Sequence, residues 1–108
     1  MKDKELLELA AKAAGYEVLH EWLEFTVRKH EKDVYPWQWN PLTDDGDALR
    51  LAVKLELGIA IFCNFTEVTD GVHIDTSEIA SEITGLDPVA ATRRAIVRAA
   101  AEIGKAMV

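Results

Sequence analysis

The spacing of apolar residues along this chain changes several times between the period of a helix and the period of a strand. This pattern restricts the fold more than any other feature of the sequence. Helical spacing is found in residues 2–15, in the residues after Asn40, and from Asp87 to the C-terminus. A glycine ends the first segment, and Pro88 occupies the first helical position of the last one. Each segment has an apolar stripe on one side only, so each is expected to cover another element.

Strand spacing is found between these helical segments. Residues 16–30 alternate between apolar and polar side chains, and residues 34–39 place aromatic side chains on one face, with a proline typical of an edge strand. The nearly continuous apolar run of residues 58–68 predicts a central strand, and the TDG turn after it predicts a hairpin with residues 72–76. Residues 77–86 are predicted to form a loop.

The order of elements is therefore helix, strand, strand, helix, strand, strand, helix. This order predicts an α+β fold, an α/β sandwich in which a mainly antiparallel sheet of about four strands packs with three helices. At 108 residues the chain is long enough for one modest core, so residues 1–108 are expected to form a single domain.

Charge and cysteine content argue against several classes of protein. The net charge of −7 argues against a nucleic-acid partner, because binding to a phosphate backbone requires a basic face. The single cysteine, Cys63, cannot form an intrachain disulfide, and its apolar neighbours indicate a buried, inert thiol. No apolar segment is long enough to span a bilayer and the charged N-terminus is unlike a signal peptide, so we expect no membrane association and a cytoplasmic location.

The stretch YPWQWNPLTDDGDALRLAVKL combines aromatic, proline and acidic residues and is the first candidate for a binding site. Trp37 and Trp39 could stack on a base or a sugar, but the neighbouring charges are mostly acidic, and packing in the core or at a partner interface is favoured. Asp44 and Asp45 could ligate a hard cation. Acidic residues in the first turn also cap a helix and stabilise its dipole, and this interpretation is favoured.

The last helix carries a second candidate, the group formed by Arg93, Arg94 and Arg98, in a chain that is otherwise acidic. Their guanidinium groups could bind a phosphate or an acidic partner. Charged side chains opposite an apolar stripe are also the ordinary pattern of a solvated helix face, and this interpretation is favoured.

The sequence contains no recognisable catalytic or metal-binding pattern. The three histidines are scattered without the spacing of a zinc site, and no glycine-rich phosphate loop or serine elbow accompanies them. His73 and Asp75 could form an orienting pair on one strand face, but no nucleophile accompanies them. We therefore expect no enzyme activity, no catalytic residue, no metal and no cofactor.

Two segments, WNPLTDDGDALRLAVKLELGIAIF and DPVAATRRAIVRAAAEIG, resemble small accessory proteins of tailed bacteriophages, namely the NinX-like proteins of lambdoid phages and the related phage α/β/α sandwich domain. The resemblance covers residues 37–105 and includes the aromatic strand, Asn40-Pro41, the helix rich in alanine and leucine, and the pair Arg93-Arg94. It implies a sandwich fold but no reaction, cofactor or catalytic residue, because the family has no established activity. The polar segment RKHEKDV departs from the family pattern.

These observations favour a non-enzymatic phage accessory protein that acts in the host cytoplasm by binding a host or phage macromolecule, with a protein as the expected partner. The aromatic strand and the acidic helix start are the surface expected to bind it. The alternative, from a different class, is a small-molecule binder that sequesters a nucleotide signal of host defence. In that alternative the arginines bind the phosphates and one of the tryptophans stacks on the base. Whether the chain forms a homo-oligomer, and whether the tryptophans and arginines converge in one site, are left open.

Overall fold

The computed structural model describes residues 2–20, 25–29, 36–62, 65–70, 82–83 and 87–107. Within this part of the chain, three helices and six short strands form an α+β fold, which confirms the predicted class. The six strands form two antiparallel sheets of three strands each, whereas the sequence pattern predicted one sheet of about four. No helix of the described part combines the length and the apolar character that a membrane span requires.

The three helices are α1 (Asp3–Ala14), α2 (Asp45–Lys54) and α3 (Pro88–Ala106). Local chemistry fixes their ends as the sequence predicted. Gly15 ends α1 with a φ of 79°, a conformation that residues with a Cβ rarely adopt. The side chains of Asp44 and Asp87 cap α2 and α3 by accepting hydrogen bonds from the N–H groups of Asp47 and Ala90.

The first sheet contains β1 (Glu17–Leu19), β2 (Thr26–Arg28) and β3 (Trp37–Gln38), in that order. The prediction of one strand in residues 16–30 is wrong, because Glu17 lies opposite Arg28 and the two ends of this segment pair antiparallel. Alternation of apolar and polar residues has the same period in one long strand and in two short ones. Among the described strands β3 pairs with β2 alone, so its predicted edge position is confirmed.

The second sheet contains β4 (Gly58–Ile61), β5 (Phe65–Thr69) and β6 (Glu82–Ile83), with β5 in the centre. The apolar run of residues 58–68 is therefore not one central strand, because it contains β4 and most of β5, which pair antiparallel. Among the described strands, β4 lies at the edge of this sheet. β6 falls in the segment that was predicted to be a loop. The predicted strand at residues 72–76 lies outside the described residues, as do Cys63 and His73.

The core lies mainly between α1 and α3, which pack along each other through small side chains. Gly104 permits this close approach, because a Cβ at that position would overlap the carbonyl oxygen of Leu9. α2 also contacts α3, and α3 lies against β5 and β6. The buried apolar side chains of the two long helices are Leu6, Leu7, Ala10, Ala11, Ala14, Ala95, Ile96, Val97, Ala99, Ala100 and Ala101.

The apolar stripe of α2 is narrower than the sequence predicted. Ala48, Leu51 and Ala52 are buried against the rest of the core. Leu49 and Val53, whose positions beside this stripe in the sequence predict a wider buried face, are mostly exposed. The fold therefore leaves large apolar side chains on the outer face of α2.

Candidate functional site

The two tryptophans of the aromatic stretch belong to a packed cluster around Tyr16. Trp39 is only 3% exposed, and its ring lies edge-on to Tyr16 with 5.6 Å between the ring centroids. Trp37, which is half-buried, makes a similar contact at 5.2 Å, and Phe25 packs against Trp39. These contacts pack Tyr16, which follows the end of α1, against the aromatic side chains of the first sheet and its flanking residues. The structure thus supports the core-packing interpretation of the tryptophans over a stacking platform.

The acidic helix start serves as a structural joint between β3 and α2. The N-cap carboxylate of Asp44 accepts a hydrogen bond of 2.8 Å from the N–H of Asp47. Asp47 is only 8% exposed, and its carboxylate accepts hydrogen bonds of 2.9 Å from the Asn40 N–H and from Arg50 Nη2. A buried carboxylate with charged and backbone donors is well satisfied. The helix-capping interpretation is therefore confirmed for Asp44, whereas Asp47 joins the chain at Asn40 to α2.

A polar pocket of about 280 Å³ lies beside this joint. Several of its polar groups are already used within the fold, since Asp44 and Asp47 accept the hydrogen bonds just described and Asn40 Oδ1 accepts one from the Leu42 N–H at 3.1 Å. In the described ranges, no group of three or more histidine, cysteine or acidic residues could hold a metal ion. The pocket is lined by Phe25, Gln38, Trp39, Asn40, Thr43, Asp44 and Asp47.

The predicted arginine group does not act as one unit. Arg93 points to the start of α2, where its Nη1 contacts Asp45 Oδ1 at 2.6 Å and its Nε donates to the Leu42 carbonyl at 2.8 Å. Arg94 contacts Asp3 of α1 at 3.2 Å. Arg98 lies partly buried further along α3. None of the three lines the pocket beside Trp39, so the described structure places the tryptophans and the arginines in different surroundings.

Two side chains in the aromatic region and in the first sheet have shifted pKa values. Burial raises the pKa of the Tyr16 hydroxyl; Arg50 nearby lowers it and Asp47 raises it. Hydrogen bonds from Arg28, both 2.9 Å long, lower the pKa of the Glu17 carboxyl across the β1–β2 pair. Burial and contacts within the fold account for both shifts.

A second depression, the β4 groove, is the feature of the surface that sequence reasoning missed. It has a volume of about 370 Å³ and lies between β4, α2 and the start of α3. Four large apolar side chains around it are partly exposed: Leu49 by 61%, Ile59 by 37%, Ile61 by 65% and Val89 by 52%. Its lining residues are Asp45, Ala48, Leu49, Ile59, Ile61, Pro88, Val89, Thr92, Arg93 and Ile96.

Strand register explains why isoleucines line this groove. Ile59 lies opposite the buried Val68, and Ile61 lies opposite the buried Thr66, whose hydroxyl is 3.1 Å from that of Thr92 on α3. Directly opposed residues in an antiparallel pair point to the same face of the sheet. The isoleucines therefore point to the helix side, but α3 packs over β5 and leaves them only partly covered at the edge.

One signal in the sequence indicates the apolar face that lines the groove. Ile59 and Ile61 alternate with the small residues Gly58 and Ala60, which is the pattern of a strand with one apolar face rather than two.

Comparisons with known protein families, with curated proteins and with solved structures found no match to this chain. The phage resemblance therefore rests on the sequence segments quoted above and stays a prediction. The geometry of the described residues, and the β4 groove in particular, is the basis on which a function is inferred.

Proposed function

We propose that this chain is a non-enzymatic phage accessory protein that acts in the host cytoplasm by binding a host or phage protein through the β4 groove. The observation that carries the proposal is the grouping of Leu49, Ile59, Ile61 and Val89, all partly exposed, around one depression. Four such side chains expose apolar area on the order of a few hundred Å², a size at which patches on soluble proteins are often binding sites.

The chemistry of the groove suits binding rather than a reaction. Its charged side chains, Asp45 and Arg93, form an ion pair with each other. The hydroxyl of Thr92 donates to the Pro88 carbonyl at 2.8 Å within the first turn of α3. The remaining lining is apolar, and apolar side chains contribute to protein interfaces through burial without supplying a nucleophile or a base.

The nucleotide-binding alternative has less support than a protein partner. Arg93 is compensated by Asp45 and bonded to the Leu42 carbonyl, so its positive charge is already satisfied within the fold. Trp39 has too little exposed area to stack on a base. Stacking and phosphate contacts would have to meet in one place, and the described residues that line the pocket beside Trp39 include no arginine.

The surface proposed here replaces the one suggested by the sequence. The aromatic strand and the acidic helix start were the expected binding surface, but their side chains are largely used for core packing and helix capping. The phage context of the proposal rests on the resemblance of residues 37–105, and the groove lies within that part of the chain.

Site-specific photo-crosslinking tests the proposal. A benzophenone amino acid is placed at position 61 or 89 in the groove, and at the exposed position of Lys4 on α1 as a control, in bacterial cells that express the chain. We expect a covalent protein adduct from the two groove positions that the control position does not give. The Ile61→Lys substitution should remove the adduct formed from position 89 without changing the melting temperature.

Two results would contradict the proposal. The experiment is done in uninfected and in infected cells. If in both cases positions 61 and 89 give no adduct, or only the adducts that the control position gives, the groove does not bind a protein partner. If Ile61→Lys leaves the adduct from position 89 unchanged, the apolar side chains of the groove do not determine the binding.

A further inference from the structure

We infer that the β4 groove binds an extended segment of its partner as an added strand alongside β4, with apolar side chains at alternate positions and basic residues on its flanks. This inference rests on the proposed function and adds to it the conformation and the chemistry of the bound segment. It rests on the position of β4 in its sheet, on the direction of the isoleucine side chains and on the charges around the groove.

The backbone observation is the position of β4 in its sheet. Within the described residues the strand order is β4-β5-β6, so one edge of β4 pairs with β5 and no described strand pairs with the other edge. The N–H and C=O groups of such an edge can pair with a further strand. The four residues of β4 correspond to a paired length of about 13 Å at ~3.3 Å per residue.

The side-chain observation is the direction of the isoleucines. Ile59 and Ile61 point into the groove, while Gly58 and Ala60 belong to the opposite face of the sheet. Every second side chain of an added strand would therefore enter the groove and contact Ile59, Ile61, Leu49 or Val89. Residues between them would face away, so the bound segment needs apolar residues at a period of two.

The charge observation concerns the surroundings of the groove. The ion pair of Asp45 with Arg93 leaves the groove lining without net charge. Glu56, exposed just before β4, and Asp87, exposed just before Pro88, place acidic groups near it. The basic side chain at the end of α2, Lys54, is directed to the Tyr16 ring with its Nζ 5.2 Å from the centroid.

This charge pattern favours a basic partner over a second copy of the chain. Two copies would bring the same acidic groups together, and each copy has a net charge of −7. Repulsion between like charges at an interface selects against such pairs, whereas lysine or arginine beside the apolar positions of a partner would be attracted. The occupant is therefore an apolar strand with basic flanks from another protein.

A peptide selection tests the inference without knowledge of the partner. A library of random 12-residue peptides is selected on the wild-type chain and depleted on the Ile61→Lys variant. We expect the enriched peptides to share apolar residues at alternate positions and lysine or arginine at the flanks. In fluorescence polarisation, the best peptide should bind the wild type at least tenfold more tightly than Ile61→Lys or Leu49→Lys. The Val53→Lys variant is the matched control, because Val53 is 69% exposed but does not line the groove.

Backbone methylation separates strand addition from other modes of binding. The best peptide is made in two forms, N-methylated at its odd or at its even positions, so that one form blocks the edge paired with β4 and the other blocks the outer edge. We expect one form to lose at least tenfold in affinity and the other to bind like the unmodified peptide. Equal affinities of the two forms, enriched peptides with apolar residues at helical spacing, or no enrichment would overturn the inference.

Three further outcomes decide between this inference and the proposed function. A dimer in sedimentation experiments that Ile61→Lys abolishes would make a second copy the occupant and overturn the inference. Photo-crosslinks from position 61 to a protein whose binding peptide has helical spacing would leave the proposed function standing while the strand mode fails. If neither crosslinks nor enriched peptides are found, the inference and the proposed function both fail.

Discussion

Replacement of Gly104 by alanine tests the close packing of α1 on α3. A Cβ at position 104 would overlap the Leu9 carbonyl oxygen, lie 2.9 Å from the Leu9 carbonyl carbon and lie 3.4 Å from the Ala13 nitrogen. Carbon and oxygen atoms in contact are normally about 3.3 Å or more apart, and the atoms in the way are backbone rather than a side chain that could rotate. The two helices must therefore separate by a distance on the order of 1 Å.

The separation of the two helices determines the expected loss in the free energy of unfolding. A gap of about 0.5–1 Å removes a quarter to a half of the dispersion energy of the contacts it opens. Overpacking of this kind costs about 1–3 kcal/mol, and the upper end applies because the neighbouring backbone cannot move alone. Alanine is more favourable than glycine inside a helix by about 1 kcal/mol, which offsets part of the loss. The net loss in the free energy of unfolding should be about 2 kcal/mol.

Urea unfolding followed by tryptophan fluorescence measures this loss, because Trp39 is buried in the native state. The midpoint should fall by about 1 M, and the melting temperature by about 10 °C. Gly46→Ala in α2 is the matched control, since its Cβ would meet the tip of the exposed Arg50 side chain at 3.0 Å and the Asp44 carboxylate at 3.2 Å. That variant should be no less stable than wild type, because the Arg50 tip can move and alanine is favoured over glycine in a helix by up to about 1 kcal/mol. A Gly104→Ala protein as stable as wild type would refute the packing argument.

Two further predictions concern hydrogen bonds of single side chains. Asp87→Ala removes the cap of α3, so the free energy of unfolding should fall by about 1 kcal/mol in urea titration, and Asp87→Asn should restore most of it. Glu17 has a lower pKa in the folded chain than in the unfolded chain because Arg28 donates two hydrogen bonds to it. The stabilisation of the fold by this pair is therefore fully present above the ordinary glutamate pKa. It is lost as the pH falls through the pKa of Glu17 in the folded chain. NMR titration should find the lowered pKa, and Glu17→Gln should reduce the acid-side fall in stability; an unshifted carboxyl would contradict the pairing.

The parts of the fold that the sequence predicted correctly depend on local chemistry. Gly15, Asp44 and Asp87 act on backbone groups within a few residues, so their roles as caps can be recognised from neighbouring letters. Two of the strand errors are different in kind. Residues 16–30 and residues 58–68 each contain parts of two paired strands, and the point at which a chain reverses depends on pairing that apolar periodicity does not report.

The contacts of the candidate site also include local ones, which the sequence predicts, and long-range ones, which it does not. The role of Asp44 was predictable, but the partner of Asp45 was not, because Arg93 lies 48 residues further along the chain. The exposure of Ile59 and Ile61 depends on the position of β4 at the edge of the described sheet, and the same two residues in the centre of a sheet would be buried. A run of apolar residues cannot distinguish these two positions.

The arrangement of the core makes binding and stability separable in this chain. The buried side chains lie mainly between α1 and α3 and around Trp39, while Leu49, Ile59, Ile61 and Val89 lie outside that set. Substitution of exposed side chains usually changes stability by less than about 0.5 kcal/mol, so the fold gains little from apolar residues at Leu49, Ile61 and Val89, which are more than half exposed. Exposed apolar side chains also favour aggregation when nothing covers them. Their grouping beside β4 therefore supports the proposal that a bound partner covers them.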